Sequence, residues 1–508
     1  MLDTIFAWIS RHCWLLAAVS LMLIVAGGRL AVVANYGTDL PMYDSWAADT
    51  NAFLLPLHNR DFRPAALFNA TNEHRVFFTN LSNGILAAVS GQWDNRQQTV
   101  FNAFLCGIVL AGVWLALTRT QTGAWPAVTF AVTAATGGLP IVFENIVWGF
   151  QSQFLFVAGF SLLCLWQLLT ATPGSRAWHT GWIAGLCAML SLGSGFFAPL
   201  VVLVISLLRL VLTPPGDRRP FLPTIIAAGL LLGFAWLIRS PAPQHDVLHA
   251  TSLVQFFNYL LAGMAWPATG RLWLAPLTYA PLAWLAWRWC REPSFRGNLS
   301  TFLLGAGLWV GLQIAAIAFA RSNTTMWPPA NRYGELYLYG TIVNVTAGVL
   351  LVNHAAAARA RITARILLGL VLAAFAWGTV QSTRFAFVHR LPELRANFRL
   401  YEKNVAAYVQ SHDRRLFDHG PIPYPNAFIL ANLLDMPAVQ RYLPASVRHP
   451  AQGPSELQRM LGKSDSPASW LSRVAMHVAG AWPACLALGA ALAAGLALLN
   501  SIRTRIDR

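Results

Sequence analysis

The sequence predicts an all-α polytopic membrane protein, and three observations carry that expectation. The 508 residues are 56% hydrophobic and only 11% charged, with a mean hydropathy of +0.49, which is more apolar surface than a soluble domain buries. Apolar runs close to the about 20 residues needed to cross a bilayer recur along the chain. Arginine clusters mark alternate connections between those runs.

The spans fall near 14–34, 99–118, 124–142, 152–169, 181–192, 196–212, 221–238, 272–287, 302–320, 336–352, 366–381 and 478–500, about twelve transmembrane helices, with 181–192 the shortest. Arg11, Arg119, Arg176, Arg218 and Arg219, Arg288, Arg291 and Arg296, Arg359, Arg361 and Arg365, and Arg503, Arg505 and Arg508 lie on one set of connections. The positive-inside rule makes that set cytoplasmic and places both termini there, as an even span count requires. A span at 253–266 would break the alternation, so that segment is expected as an amphipathic or re-entrant helix on the outer side. The first apolar run ends in Val32 and Ala34, which suit a signal-peptide cleavage site, but its length favours a retained anchor.

Three regions follow. Residues 1–381 form the transmembrane region, whose first outer loop, 35–98, holds a half-apolar helix at 76–90 along the outer interface. Residues 382–477 form an outward segment, opening with a helix at 392–411 and turning through Pro421-Ile422-Pro423-Tyr424-Pro425. With fewer than a hundred residues and no disulfides it makes a poor independent core and should pack on the membrane region. Residues 478–508 are the last span and a basic tail. No internal repeat or low-complexity tract is present.

Composition also excludes function classes. The net charge of +16 comes largely from arginines at cytoplasmic span ends facing anionic headgroups. No basic recognition module accompanies it, so nucleic acid is not a partner. The six cysteines lie in or beside apolar runs, leaving neither a disulfide framework nor a CxxC metal site. Span middles offer only Gln167, Gln313 and Asn344, with Arg29 near an outer end. That argues against an ion-coupled transporter, though a lipid flippase survives it.

Chemistry concentrates on the outward loops. Asp39, Asp44 and Asp49 follow the first span, and a carboxylate losing hydration at an interface gains a raised pKa suited to a general base. Tyr43 and Trp46 flank Asp44 at headgroup level. Asn72-Glu73-His74-Arg75 opens the interfacial helix and suits an anionic headgroup or a sugar, with Arg75 on phosphate. Glu144 stands in a short outward turn. Arg321-Ser322-Asn323 and Asn331-Arg332-Tyr333 bracket Met326-Trp327-Pro328-Pro329. Outward arginines oppose the positive-inside bias, which points to a lipid phosphate from the outer leaflet or to a salt bridge with an outward acid. His245, Asp246 and His249 match no standard metal set, so no metal ligand is assigned.

This arrangement resembles the GT-C class of membrane glycosyltransferases, similar to the protein mannosyltransferase and aminoarabinose transferase superfamily. Met42-Tyr43-Asp44-Ser45-Trp46 stands where that family has an acidic motif, and Asn72-Glu73-His74-Arg75 where its His-bearing helix starts. Gly91-Gln92-Trp93 closes that helix, and Glu144 stands at a second acidic position. The motifs cover the first 150 residues; beyond them the resemblance is one of topology. A lone Asp44 beside Ser45 replaces the family's paired acids, and His-Pro-Pro becomes His74-Arg75-Val76. No cofactor is certain, and a requirement for a divalent cation, Mg or Mn, stays open. The resemblance implies a sugar donor linked to polyprenyl phosphate and an envelope glycan, lipid or protein acceptor. Asp44, with Asp39 as the other candidate, would be the catalytic base and Glu144 would orient a sugar. Glu73, His74, Arg75, Arg321, Arg332 and Tyr333 would bind the lipid phosphate or the substrate. The expected setting is a bacterial inner membrane with the site facing outward. A lipid-linked-sugar flippase and an O-antigen polymerase or ligase are the alternatives.

Overall fold

The computed structural model describes residues 2–506 except 62, 119–120, 122, 325 and 449–468, with side chains described between 12 and 498. Arg119, Arg508 and residues 449–468 of the outward segment therefore lie outside the described residues, as do the side chains of Arg11, Arg503 and Arg505.

Helix α1 (Leu2–Tyr36) leads into the first outer loop, where α2 (Ser45–Asp49), a π turn (Thr50–Leu54) and α3 (Leu55–His58) follow one another. A hairpin of β1 (Ala70–Thr71) and β2 (His74–Arg75) precedes α4 (Phe77–Ser90). Gly91 ends α4 in the left-handed region at φ 69°, returning its N–H to the Ala87 carbonyl. The bundle continues through α5 (Asn95–Thr118), α6 (Trp125–Gly138), the short α7 (Phe143–Val147), α8 (Ser152–Thr170), α9 (Arg176–Met189), α10 (Phe197–Leu212) and α11 (Leu222–Ile238). Then come α12 (Leu253–Met264), α13 (Leu274–Arg291), α14 (Asn298–Arg321) and α15 (Gly334–Asn353). Helices α16 (Ala358–Phe385) and α17 (Leu391–Ser411) are joined by a π turn (Ala386–Arg390); α18 (Ala427–Leu434), α19 (Pro437–Tyr442), α20 (Trp470–Gly480) and α21 (Trp482–Ile506) complete the chain. Ser175, Ser252, Asn426 and Ser469 cap α9, α12, α18 and α20, each side chain accepting a backbone N–H three residues on.

The protein is an all-α polytopic membrane protein. Among the described residues nine helices are long and apolar enough to cross a membrane, or ten if α20 and α21, which meet at 49°, form one bent span. All twelve expected spans are helical, but α9 and α13 fall outside that set. Helix α9 has 14 residues, about 21 Å of rise against the about 30 Å of a hydrocarbon core. Helix α13 carries Arg288 and Arg291 in its last turn.

Helix α15 sits at the centre, buried along nearly its whole length, with α13, α14 and α16 against it. Helix α1 packs on α5, α6 and α21. A Cβ on Gly28 would lie 2.2 Å from the Gly138 carbonyl oxygen, so only glycine lets α1 and α6 cross this closely. Arg29, one residue on, reaches through the contact. Its Nη2 donates to Glu335 Oε1 of α15 at 2.6 Å and its Nε to the Gly137 carbonyl at 2.9 Å. Both side chains are buried.

The helix expected at 392–411 is present but does not start a new unit. It continues α16 without a break, as one helix from Ala358 to Ser411. Pro392 is accommodated because the π turn before it rearranges the hydrogen bonds that a proline ring obstructs. The outward segment and the first outer loop share one apolar core, in which Phe398, Tyr401 and Leu434 join Leu40, Trp46 and Trp93.

Candidate functional site

A cavity of ≈ 820 Å³ opens between the first outer loop, the ends of α11 and α14, and the segment before α12. Asp44, Glu73, His74, Arg75, Arg321, Arg332 and Tyr333 all line it. Residues more than 280 positions apart in sequence are thereby brought to one place.

Asp44 is presented by a strained turn. Tyr43 occupies the left-handed region at φ 48°, uncommon for a residue with a bulky side chain. Its N–H donates to the Pro423 carbonyl at 2.6 Å, and its ring meets Trp148 edge-on at 5.0 Å. Trp148 in turn donates its indole N–H to Ser45 Oγ. Held on both sides, Asp44 takes the N-cap position of α2 without making the usual side-chain cap bond, which leaves its carboxylate to the cavity. Asp44 stays exposed at the cavity wall; the partial loss of hydration there raises its pKa, while the positive charge of Arg332 pulls the other way.

Glu73 stands at the tip of the β1–β2 hairpin, where Asn72 takes φ 54°, a conformation asparagine tolerates. The hairpin is pinned by its other residues. Arg75 donates to the carbonyls of Ile238 and Phe68, both at 2.7 Å. His74 Nδ1 accepts the Gly193 N–H at 3.2 Å, so its proton sits on Nε2, 3.6 Å from Glu73 Oε1. A Cβ on Gly193 would come within 2.8 Å of that imidazole. The Glu73 carboxylate is paired on both oxygens, Oε1 with Arg321 and Oε2 with His245 Nδ1 at 2.7 Å. Burial pushes the Glu73 carboxyl up, but His74 and Arg321 outweigh it and bring the group to about 2. Burial pushes His74 itself down to about 4, so near neutrality Arg321 is the cation that keeps Glu73 ionised.

Arg332 lies 3.6 Å from Glu144 and over the Tyr333 ring at 5.2 Å. Asn145 donates to the Arg332 carbonyl at 2.7 Å and to Glu335 Oε2 at 3.3 Å. Asn331 Oδ1 accepts the Glu144 N–H at 3.2 Å. The Arg332 turn is thus fastened to α7 and, through Glu335, to Arg29 of α1. Glu144 reaches the site as the partner of Arg332 and is not among the residues lining the cavity.

Asp39 is not brought to the cavity. It accepts a hydrogen bond from Ser446 Oγ at 2.5 Å and lies by Asp94, whose carboxyl is pushed up to about 6 by burial and by Asp39. Asp94 caps the start of α5 through the Arg96 N–H. Asp49 is fully buried, accepts the Trp93 indole N–H at 2.8 Å, and is pushed up to about 7 by burial.

Two lining residues, His245 and Arg239, were not assigned from sequence to this site. The spacing of His245 with Asp246 and His249 drew attention to metal binding, yet its imidazole bonds Glu73. Arg239 stacks over Trp236 at 3.9 Å on the cavity rim. Among the described residues no group of three or more His, Cys, Asp or Glu is placed to hold a metal ion.

Comparison with protein-family models gives no match, nor does comparison with curated proteins. Among solved structures, the chain is similar to the archaeal oligosaccharyltransferase AglB from Archaeoglobus fulgidus, solved in complex with an inhibitory peptide and a dolichol-phosphate. The match covers 88% of this chain at 13% identity, with a TM-score of 0.46. This chain spans 62% of the length of that one.

Proposed function

We propose that the chain is a membrane glycosyltransferase of the GT-C type, moving a sugar from a polyprenyl-phosphate carrier to an envelope glycan, lipid or protein acceptor. One observation carries the reading: Asp44, a carboxylate with a raised pKa and no cap bond, shares an ≈ 820 Å³ cavity with Arg321, Arg332 and Arg239. Trp236 and Leu237, between the lining residues Ala235 and Ile238, and Val247, between Asp246 and Leu248, are exposed apolar side chains, which suit an isoprenoid tail lying in lipid.

In this reaction Asp44 takes the proton of an acceptor hydroxyl as its oxygen attacks the anomeric carbon with inversion. The bond from that carbon to the phosphate oxygen breaks, and the phosphate leaves as an anion. It therefore needs cations rather than a general acid, and Arg321 and Arg332 supply them. Glu144 orients Arg332 from behind. Arg75 and His74 hold the hairpin that carries Glu73, and Tyr333 forms part of the wall. The cavity faces the outer side of a bacterial inner membrane, with both chain ends cytoplasmic.

The test is transfer of label from polyprenyl-phosphate sugars to a crude envelope acceptor by purified protein, wild type against Asp44→Asn. Transfer by wild type and its loss in the variant is the expected result. Saturable donor binding with no transfer from any donor would refute it and favour a lipid-linked-sugar flippase, which the apolar rim would also serve.

A further inference from the structure

Glu73 is an odd resident for a cavity read as a phosphate site. It places a full negative charge where an anionic ligand would go, with one carboxylate oxygen on Arg321 and the other on His245. Its side chain keeps 28% of its surface open to the cavity. The bonds that hold its hairpin do not use the carboxylate: His74 is fixed by the Gly193 N–H, and Arg75 by two backbone carbonyls.

The two partners of the carboxylate are also fixed without it. The segment carrying His245 is tied to the end of α14 by backbone bonds, Asn323 N–H to the Leu248 carbonyl at 3.1 Å and Ala250 N–H to the Phe319 carbonyl at 2.7 Å. Arg321 Nη1 donates to the Ala320 carbonyl at 2.9 Å. Arginine and imidazole therefore form a cradle for two anionic oxygens that would persist if the carboxylate swung away. A phosphate monoester offers two such oxygens at similar spacing, and Arg239 stands on the same rim above Trp236.

We propose that Glu73 is a displaceable counter-ion: it occupies the Arg321–His245 cradle until the phosphate of a lipid monophosphate enters and takes its place. This rests on the reading of the cavity as a lipid-phosphate site. It gives Glu73 a role opposite to that of a binding group, since its charge competes with the ligand. The empty site then leaves the half-buried Arg321 guanidinium paired, and only a ligand with enough negative charge and an apolar tail displaces the resident carboxylate. Because Glu73 stays ionised well below neutrality, the competition operates throughout the physiological pH range.

The experiment measures equilibrium binding of a prenyl monophosphate to the full-length protein in detergent, for wild type, Glu73→Gln and Glu73→Ala, with inorganic phosphate and the uncharged prenol as parallel probes. Glutamine keeps the shape and a hydrogen-bond acceptor but removes the charge. Affinity for prenyl monophosphate should rise on the order of tenfold in both variants, the scale of one charge-assisted hydrogen bond, while prenol binding stays unchanged. Arg321→Gln in the Glu73→Gln background should abolish the gain. Unchanged or weaker prenyl monophosphate binding in both variants overturns the proposal, as does a gain seen with inorganic phosphate alone. Sugar transfer is a separate readout. Tighter binding without transfer from any donor keeps the counter-ion and sinks the transferase, whereas transfer without a gain in binding sinks only the counter-ion.

Discussion

Replacing Arg29 by methionine should destabilise the protein far more than its place on an apolar helix suggests. The guanidinium donates to Glu335 Oε1 at 2.6 Å and to the Gly137 carbonyl at 2.9 Å, and Glu335 has no exposed surface. Arg29→Met leaves that carboxylate with only Asn145 at 3.3 Å and the weak Cys106 thiol donor at 3.7 Å. Breaking a buried pair from one side costs about 3–5 kcal/mol, while replacing both partners by apolar groups of similar volume is often near neutral. Arg29→Met should lose about that much, and Arg29→Met with Glu335→Met should recover most of it, a coupling of about 3 kcal/mol. SDS titration in mixed micelles, followed by tryptophan fluorescence, measures all three variants. A single variant within about 1 kcal/mol of wild type, or a double variant no more stable than the single, would refute the pairing as the source of stability. The single variant should also weaken ligand binding, because Glu335 and Arg332 share Asn145 as a common donor.

Asp44→Asn should lower transfer by about 10²- to 10⁴-fold, the usual range for removing a general base, while donor binding is retained; a variant with wild-type turnover would exclude Asp44. The transfer rate of wild type should fall on the acid side as Asp44 takes up a proton, at a pH above the ordinary carboxylate range because its pKa is raised. Arg332→Gln removes a cation that lowers this pKa and should move the acid limb to still higher pH; a limb that stays or shifts down would break the link. Gly193→Ala forces a methyl to within 2.8 Å of His74 Nδ1 and 2.9 Å of the Glu73 carbonyl, and should displace the hairpin, draw Glu73 off the Arg321–His245 cradle and tighten prenyl monophosphate binding without unfolding the bundle, as thermal melts and binding isotherms would report. The buried Asp49 carboxyl, pushed up to about 7, holds its proton more tightly folded than unfolded. Its contribution to stability is full below the ordinary carboxylate pKa and fades as pH rises toward 7. Melting temperature should fall over that window in wild type and change little in Asp49→Asn.

The membrane architecture was legible in the sequence because the bilayer imposes it locally: each apolar run reports its own helix, whatever it packs against. Span count was less legible where length and composition conflict, as in the 14-residue α9 and the arginine-tipped α13. The site was legible to the extent that charge on an outward loop is unusual, which picked out Asp44, Glu73 and Arg321 one by one. What a side chain faces is another matter, because that is fixed by segments far along the chain. Nothing local to Glu73 tells that its partners sit at His245 and Arg321. Nothing local to Arg75 tells that its guanidinium is taken up by the Ile238 and Phe68 carbonyls, so that it positions the hairpin rather than waiting for phosphate. Asp39 and Asp44 lie five residues apart in one acidic stretch. They diverge because Ser446 bonds Asp39 into the junction with the outward segment, whereas the turn at Tyr43 aims Asp44 at the cavity. Glu335 went unnoticed for the converse reason. Beside Arg332 and Tyr333 it reads as one more loop acid, yet it is the first-turn residue of the most enclosed helix and the anchor that Arg29 and Asn145 share.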